Sequence, residues 1–401
     1  MNKPLVLLRA PVLTLSGYGT HARQIGDWLL QLDKAGKIEL LCEALYWGNT
    51  TWIVDIERDA LIKELMPRCR AIPRQPDVSI QLQLPNEWDP KIAKVNIGVS
   101  AAVETDIAPS EWVQACERMD RVVFPSKHSM ASITNAGWKP REEQALIIPE
   151  SFPDALMRTD VDTSLLDPLP SFTFLVFGQM TVQDGLASCD RKNIHNTVKW
   201  LLEEFAGDKD VGVLIKSNMG RNTTFDAYHT ENALNIVRKA AQTSKPNKQL
   251  PEVHLVHGDM PDTDVAALYK HPNVKALVTA TRGEGFGLPI LEAAACDLPV
   301  IATGWSAHRE FLELGRYIDL PCTIQQIPRE RVDGRIFVGR ARWAEVSESD
   351  FKRRLRKFRE SSAIPREWAT DLGKKIRASY CREAVTSSWD TALGGLVRGY
   401  K

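Results

Sequence analysis

Val274-Lys-Ala-Leu-Val-Thr-Ala280, and then Arg282-Gly-Glu-Gly-Phe-Gly-Leu-Pro-Ile-Leu-Glu-Ala-Ala-Ala-Cys-Asp-Leu-Pro-Val-Ile-Ala-Thr303, read as strand, glycine-rich turn, helix and strand. The apolar run 274–280 has the length of a buried strand. Gly285 and Gly287 let the backbone turn sharply and come close to a ligand. Pro289 suits the first turn of a helix, where its missing N–H costs nothing. The amides of Gly285, Phe286, Gly287 and Leu288 then face an anion, aided by the helix dipole. Glu292 falls about one turn into the helix, where a carboxylate accepts hydrogen bonds from vicinal hydroxyls. Glu284 lies before the helix. Taken alone, two such acids are a loop charge and a first-turn acid; the glycine turn between them gives them a ligand.

Outward from this stretch, the second half alternates strand and helix. Strands are expected at 172–177, 211–215, 253–256 and 300–302, and helices at 193–205, 224–241 and 265–269. Such alternation implies an α/β fold with a parallel sheet covered on both faces. Ligands of these sheets bind beyond the carboxyl ends of the strands, which is where 281–288 falls. The first half shows strands at 4–8, 38–45, 78–82, 95–99 and 121–124, with helices at 112–119 and 128–136. A glycine turn, 16–20, precedes a helix reaching about Leu32. Prolines 149, 153, 168 and 170 mark a connector. Three parts are expected: 1–165, 166–378, and a helix in 379–401 that crosses back to the first.

The 401 residues suit two domains. Lys plus Arg equals Asp plus Glu, 51 each, so the whole chain has no global attraction to nucleic acid. Seven cysteines are scattered without a Cys-x-x-Cys pair, as in a reducing, cytoplasmic compartment. The apolar stretch 5–8 is too short for a signal peptide, and no run reaches a membrane span. The eight histidines lack metal-ligand spacing, and no P-loop or nucleophile elbow is present. The segment 351–359, Phe-Lys-Arg-Arg-Leu-Arg-Lys-Phe-Arg, is a basic helix with Phe351, Leu355 and Phe358 on one face. It is read as a packed surface helix, with contact to anionic lipid at a membrane periphery or to nucleic acid as the alternative.

The stretch 282–303 resembles the donor-site signature of retaining GT-B glycosyltransferases, in particular glycosyltransferase family 4. The resemblance implies two Rossmann-like parallel-sheet domains facing across a cleft, donor side second. It implies transfer of a sugar from a nucleotide-diphosphate sugar, with retention, no metal and no other cofactor. Glu292 would then hold the ribose and Glu284 the sugar ring. Lys192 and Lys216, at the carboxyl edge of the sheet, look like the family's phosphate-binding basic pair, and Arg191 would replace the charge of the arginine that the family usually carries after the first strand of this domain. Met260, after the strand at 253–256, sits where the family reads the nucleobase through backbone groups. Gly17 and Gly19 resemble the glycine loop set against diphosphate and acceptor. Glu104, followed by Thr105 and Asp106, resembles an acceptor-side carboxylate; a helix-capping acid is its other reading. Two positions depart from the family pattern: Gln179 stands where an arginine is usual, and Asp297 where glycine is usual.

The acceptor stays open among glycan, lipid-linked sugar, protein and modified nucleic acid. A nucleotide-sugar epimerase or a silent nucleotide-sugar-binding protein would use the same fold. A different class, an NAD(P)-binding oxidoreductase, would use Gly17, Gly19 and Ala22 as a Gly-x-Gly-x-x-Ala loop, with Glu43 on a ribose.

Overall fold

Apolar runs too short for helices become strands here, and the amphipathic segments between them cover both faces. The computed structural model describes residues 3–56, 59–166, 168–180 and 187–399. These form two compact units.

The first unit, 1–151 with 334–338 and 382–401, begins β1(Leu5–Ala10), α1(Gly17–Lys34), β2(Glu39–Ala44) and α2(Ala60–Leu65). It continues β3(Val78–Leu82), β4(Val95–Val99), α3(Ser110–Arg118), β5(Arg121–Phe124), α4(Lys127–Asn135) and β6(Ala145–Ile147). Its sheet is parallel throughout, in the order β2-β1-β3-β4-β5-β6. Alternation along β1 sends Val6 and Leu8 into one core with Ile25 and Trp28 of α1, and Leu5 and Leu7 to the other face.

The second unit, 152–333 with 339–381, runs β7(Phe172–Phe177), α5(Ile194–Glu204), β8(Val211–Ser217), α6(Thr224–Ser244), β9(Glu252–His257) and α7(Asp262–Lys270). Next come β10(Val274–Thr279), α8(Leu288–Ala295), β11(Val300–Thr303), α9(Arg309–Leu312) and β12(Ile318–Leu320). A hairpin, β13(Cys322–Gln326) and β14(Arg342–Val346), precedes α10(Glu348–Glu360) and α11(Ala363–Tyr380). The last helix, α12(Arg382–Val397), lies in the first unit and packs Trp389 on Trp28. The second sheet is also parallel, in the order β12-β11-β10-β7-β8-β9. Strand order therefore reverses between β7 and β10, and the crevice beyond their carboxyl ends is where such a sheet holds a ligand. Along β7, Phe172, Phe174 and Val176 face α5, α6 and α10, while Leu175 faces α7, α8 and α11.

Some expectations shift. The units divide between Ser151 and Phe152, where the proline-rich connector suggested 165/166. The glycine turn at 16–20 is already helix: α1 starts at Gly17, capped by Ser16, whose side chain accepts from Gly19 N–H. The helix expected within 379–401 is α12, which starts at Arg382 after a break at Cys381. The apolar face of the basic helix is buried, as its pattern predicts, and three of its cations are taken up by α5 and the following turn. Lys352 reaches Glu203 at 2.6 Å, Arg356 reaches Glu204 at 2.5 Å, and Arg359 reaches Asp208 at 3.3 Å. Among the described residues no helix is long and apolar enough to cross a membrane.

Candidate active site

The turn from β10 into α8 lies at the point of strand reversal. Gly287 takes a left-handed conformation, φ 102°, and caps α8, with Ile290 and Leu291 N–H bonding back to its carbonyl. Phe286 turns into the core against Phe311 and Tyr380, so its backbone is what remains for a ligand. Leu288 and Met260 pack partly buried against the same core.

Glu284 is 6% exposed. Its carboxylate accepts from Lys192 Nζ at 2.7 Å to each oxygen, from Thr281 Oγ1 at 2.9 Å and from Arg191 at 3.3 Å. Its own N–H donates to Ser306 Oγ at 3.0 Å, and that hydroxyl contacts His308 Nδ1. Burial pushes the Glu284 carboxyl up, but Lys192 and Arg191 more than reverse this and hold it at about 2. It is ionised at neutral pH and fixed in place.

Arg191 and Lys192 reach Glu284 because Asp190 caps α5, accepting from Ile194 N–H at 2.6 Å, while Asn193 takes φ 55°. Arg282 N–H donates to the Arg191 carbonyl at 2.8 Å. The Arg282 side chain, 2% exposed, pairs with Glu345 of β14 and also donates to the carbonyls of Ala187 and Asp190. The opening arginine of the motif is thus a brace for the cationic loop.

Glu292 sits on α8, where Tyr269 of α7 donates its hydroxyl to Oε2 at 2.6 Å. Burial lifts the Glu292 carboxyl to about 7, against that hydrogen bond and with help from the Asp262 charge. Lys216 is the penultimate residue of β8, beside the reversal point, since its carbonyl accepts from Gly178 N–H. Its ammonium turns the other way, onto the carbonyl of Gly258 after β9, and burial lowers its pKa. Gln179 is exposed at the end of β7. Asp297 follows α8 in the left-handed conformation, φ 57°, and pairs with Arg377 at 2.8 Å. That is the geometry expected of a residue replacing glycine there.

The structure therefore brings Glu284, Arg191 and Lys192 into one cluster with the start of α8. Lys216 is one strand over, with its charge aimed at β9. Gly17, Gly19, Glu43 and Glu104 belong to the first unit. Gly19 is held by close approach, because a Cβ there would lie 1.9 Å from Thr14 O. Glu43 pairs with Arg9 at 3.1 Å. Glu104 lies in a bend before α3, whose N-cap is Pro109. Sequence reasoning missed Tyr269, Thr281, Ser306 and His308. No local pattern marks Tyr269, Ser306 or His308, which meet the acids only through the fold, whereas Thr281 stands three residues before Glu284.

Residues 238–317 match the sequence profile of the family described as glycosyl transferases group 1. No curated protein sequence matches the chain. Among solved structures, a glycosyltransferase from Rickettsia africae ESF-5 is 14% identical, with a TM-score of 0.65 over 100% of both chains. Sucrose-phosphate synthase from Thermosynechococcus elongatus is 14% identical, TM-score 0.63, over 98% of this chain and 99% of that one. Anabaena Alr3699/HepE, solved with UDP and glucose, is 12% identical, TM-score 0.60, over 98% and 99%. The structural likenesses show the GT-B fold, and the matched segment makes this chain a glycosyltransferase with a glycosyl transferases group 1 domain.

Proposed function

We propose that the protein is a retaining glycosyltransferase that takes a sugar from a nucleoside diphosphate sugar, without a metal ion. The donor contacts lie in the second unit and the acceptor contacts in the first. The observation that carries this reading is the buried, ionised Glu284, fixed by Lys192 and Arg191 at the mouth of α8. A carboxylate held at about 2 does not donate a proton at neutral pH. It accepts hydrogen bonds from sugar hydroxyls and balances the cations beside the diphosphate. Glu292 accepts from the ribose hydroxyls in its ionised form.

As the bond from the anomeric carbon to the diphosphate breaks, negative charge grows on the phosphate oxygen. Lys192, Arg191 and the amides at 285–288 stabilise it. The acceptor oxygen bonds to the anomeric carbon on the face the diphosphate leaves, and its proton passes to the departing phosphate oxygen. Lys216 needs a reorientation from Gly258 to take part. The seven cysteines are free thiols, which supports a reducing, cytoplasmic setting. That UDP and glucose occupy Anabaena HepE supports a uridine donor as the first to try. The test is slow donor hydrolysis in EDTA, followed by NMR of the released sugar. Retention of the donor's anomeric configuration is expected; an inverted product or a requirement for metal overturns the reading.

A further inference from the structure

The first unit carries an aromatic surface that the donor chemistry leaves unused. After β2 the chain reads Leu45-Tyr-Trp-Gly-Asn-Thr-Thr-Trp-Ile-Val-Asp-Ile56. This loop is fastened to the segment between β1 and α1. Leu15 N–H donates to Thr51 O at 2.9 Å, Ile53 N–H donates to Leu13 O at 2.7 Å, and Thr14 bridges Trp52. Trp47 stacks on Tyr18 of α1, with ring centroids 4.1 Å apart and planes at 22°. Tyr46 leans on Trp52 at 4.7 Å and is 85% exposed. Beyond the stack, Tyr18 OH shares a hydrogen bond with Ser100 Oγ at 3.0 Å and accepts one from Ala101 N–H at 3.1 Å. Glu104 follows in the same turn, near enough for its charge to act on the Tyr18 phenol. Two carboxylates whose charges act on the Tyr18 phenol, Glu104 and Glu150, the phenol itself and three further rings thus gather at the carboxyl edge of the first sheet, beside its own reversal between β1 and β3.

The charge of this surface selects among ligands. From Leu45 to Ile56 the loop holds no lysine, arginine or histidine. Of the neighbouring arginines, Arg9 pairs with Glu43, and Arg23 donates to the carbonyls of Val12 and Thr14. Nucleic acid and anionic headgroups need cations for their phosphates. A neutral sugar does not: its C–H face lies on an aromatic ring, and its hydroxyls use carboxylate and amide partners. Resting on the glycosyltransferase reading above, we propose that Tyr46, Trp47 and Trp52, with Glu104, form the binding site for a neutral saccharide acceptor.

Saturation-transfer NMR on the full chain with maltotriose, cellotriose and chitotriose tests this. At least one trisaccharide is expected to receive saturation, chiefly on ring C–H protons. Tyr46→Ala and Trp52→Ala should each weaken it at least about tenfold, the scale of a lost stacking partner, while Tyr46→Phe retains it. Calorimetry with UDP, GDP and ADP should give the same affinities in all variants. Silence from all three trisaccharides, or binding indifferent to the alanine variants, overturns the proposal. So does capture of a dT20 oligonucleotide or phosphatidylcholine vesicles that Tyr46→Ala abolishes. Loop-dependent saccharide binding without nucleotide binding would leave this site standing and remove the donor reading.

Discussion

Replacing Glu292 by glutamine separates what burial of this carboxylate costs from what it does. In the folded chain its pKa rises from 4.5 to about 7, chiefly through burial. In the unfolded chain it returns to its ordinary value, so between these values the folded state binds a proton that the unfolded state has released. The stability this confers is fully present below about 4.5 and is lost as pH rises through about 7. At about 1.4 kcal/mol per unit the interval corresponds to roughly 3 kcal/mol. The part of the side chain still meeting solvent brings the figure nearer 2 kcal/mol. Glutamine keeps an acceptor for the Tyr269 hydroxyl and carries no charge. At pH 8 the variant should therefore be more stable than the parent by about 2 kcal/mol, and near pH 4.5 the two should agree. Affinity for a nucleoside diphosphate at pH 8 should fall by roughly 1.5–3 kcal/mol, the value of hydrogen bonds to a charged group. Urea unfolding at both pH values and calorimetry with UDP measure the two effects. A stability difference that does not change with pH, or a glutamine variant less stable at pH 8, would refute the reasoning.

Glu284→Gln should leave UDP affinity nearly intact while abolishing the extra affinity that a UDP-sugar has over UDP; equal losses for both ligands would detach Glu284 from the sugar. Lys192→Ala and Lys216→Ala should each lower kcat by at least about a hundredfold if both charges reach the diphosphate. Retained activity in Lys216→Ala alone would show that its ammonium stays on Gly258. Arg282→Leu removes one partner of a largely buried pair and unties the 187–191 turn. It should cost at least about 2 kcal/mol in urea unfolding, and an unchanged midpoint would deny Arg282 its bracing role.

Much of this molecule is legible along the chain. The strands at 78–82, 95–99, 121–124 and 172–177 coincide with β3, β4, β5 and β7, because the first two alternate apolar with polar or glycine residues and the others are short, mainly apolar runs. The turn into α8 is legible because Gly287 and Pro289 constrain the backbone locally. The short β6 and β12 are not, since three residues carry too little periodicity, and neither is the hairpin β13–β14, whose Cys-Thr-Ile-Gln-Gln and Arg-Trp-Ala-Glu-Val hold no apolar run. The acids of the site are local signals; their partners are not. Lys192 lies 92 residues from Glu284, and Tyr269 lies 23 residues from Glu292. Each pair meets only because β7 and β10 are adjacent strands or because α7 and α8 share a face of the sheet. For the same reason the family resemblance assigned Lys192 to a phosphate with no hint that Glu284 shares it.

The most direct measurement is the thermal shift of the protein, in EDTA, with UDP-, GDP- and ADP-sugars on one side and NAD(H) and NADP(H) on the other. A ligand at 100 times its dissociation constant stabilises by about 2.7 kcal/mol. The account predicts that a nucleotide sugar raises the melting temperature, that Glu292→Gln diminishes the shift, and that Glu43→Ala leaves it unchanged. A shift produced by a dinucleotide instead, and abolished by Glu43→Ala, would contradict it and move the centre of function from the mouth of α8 to the start of α1.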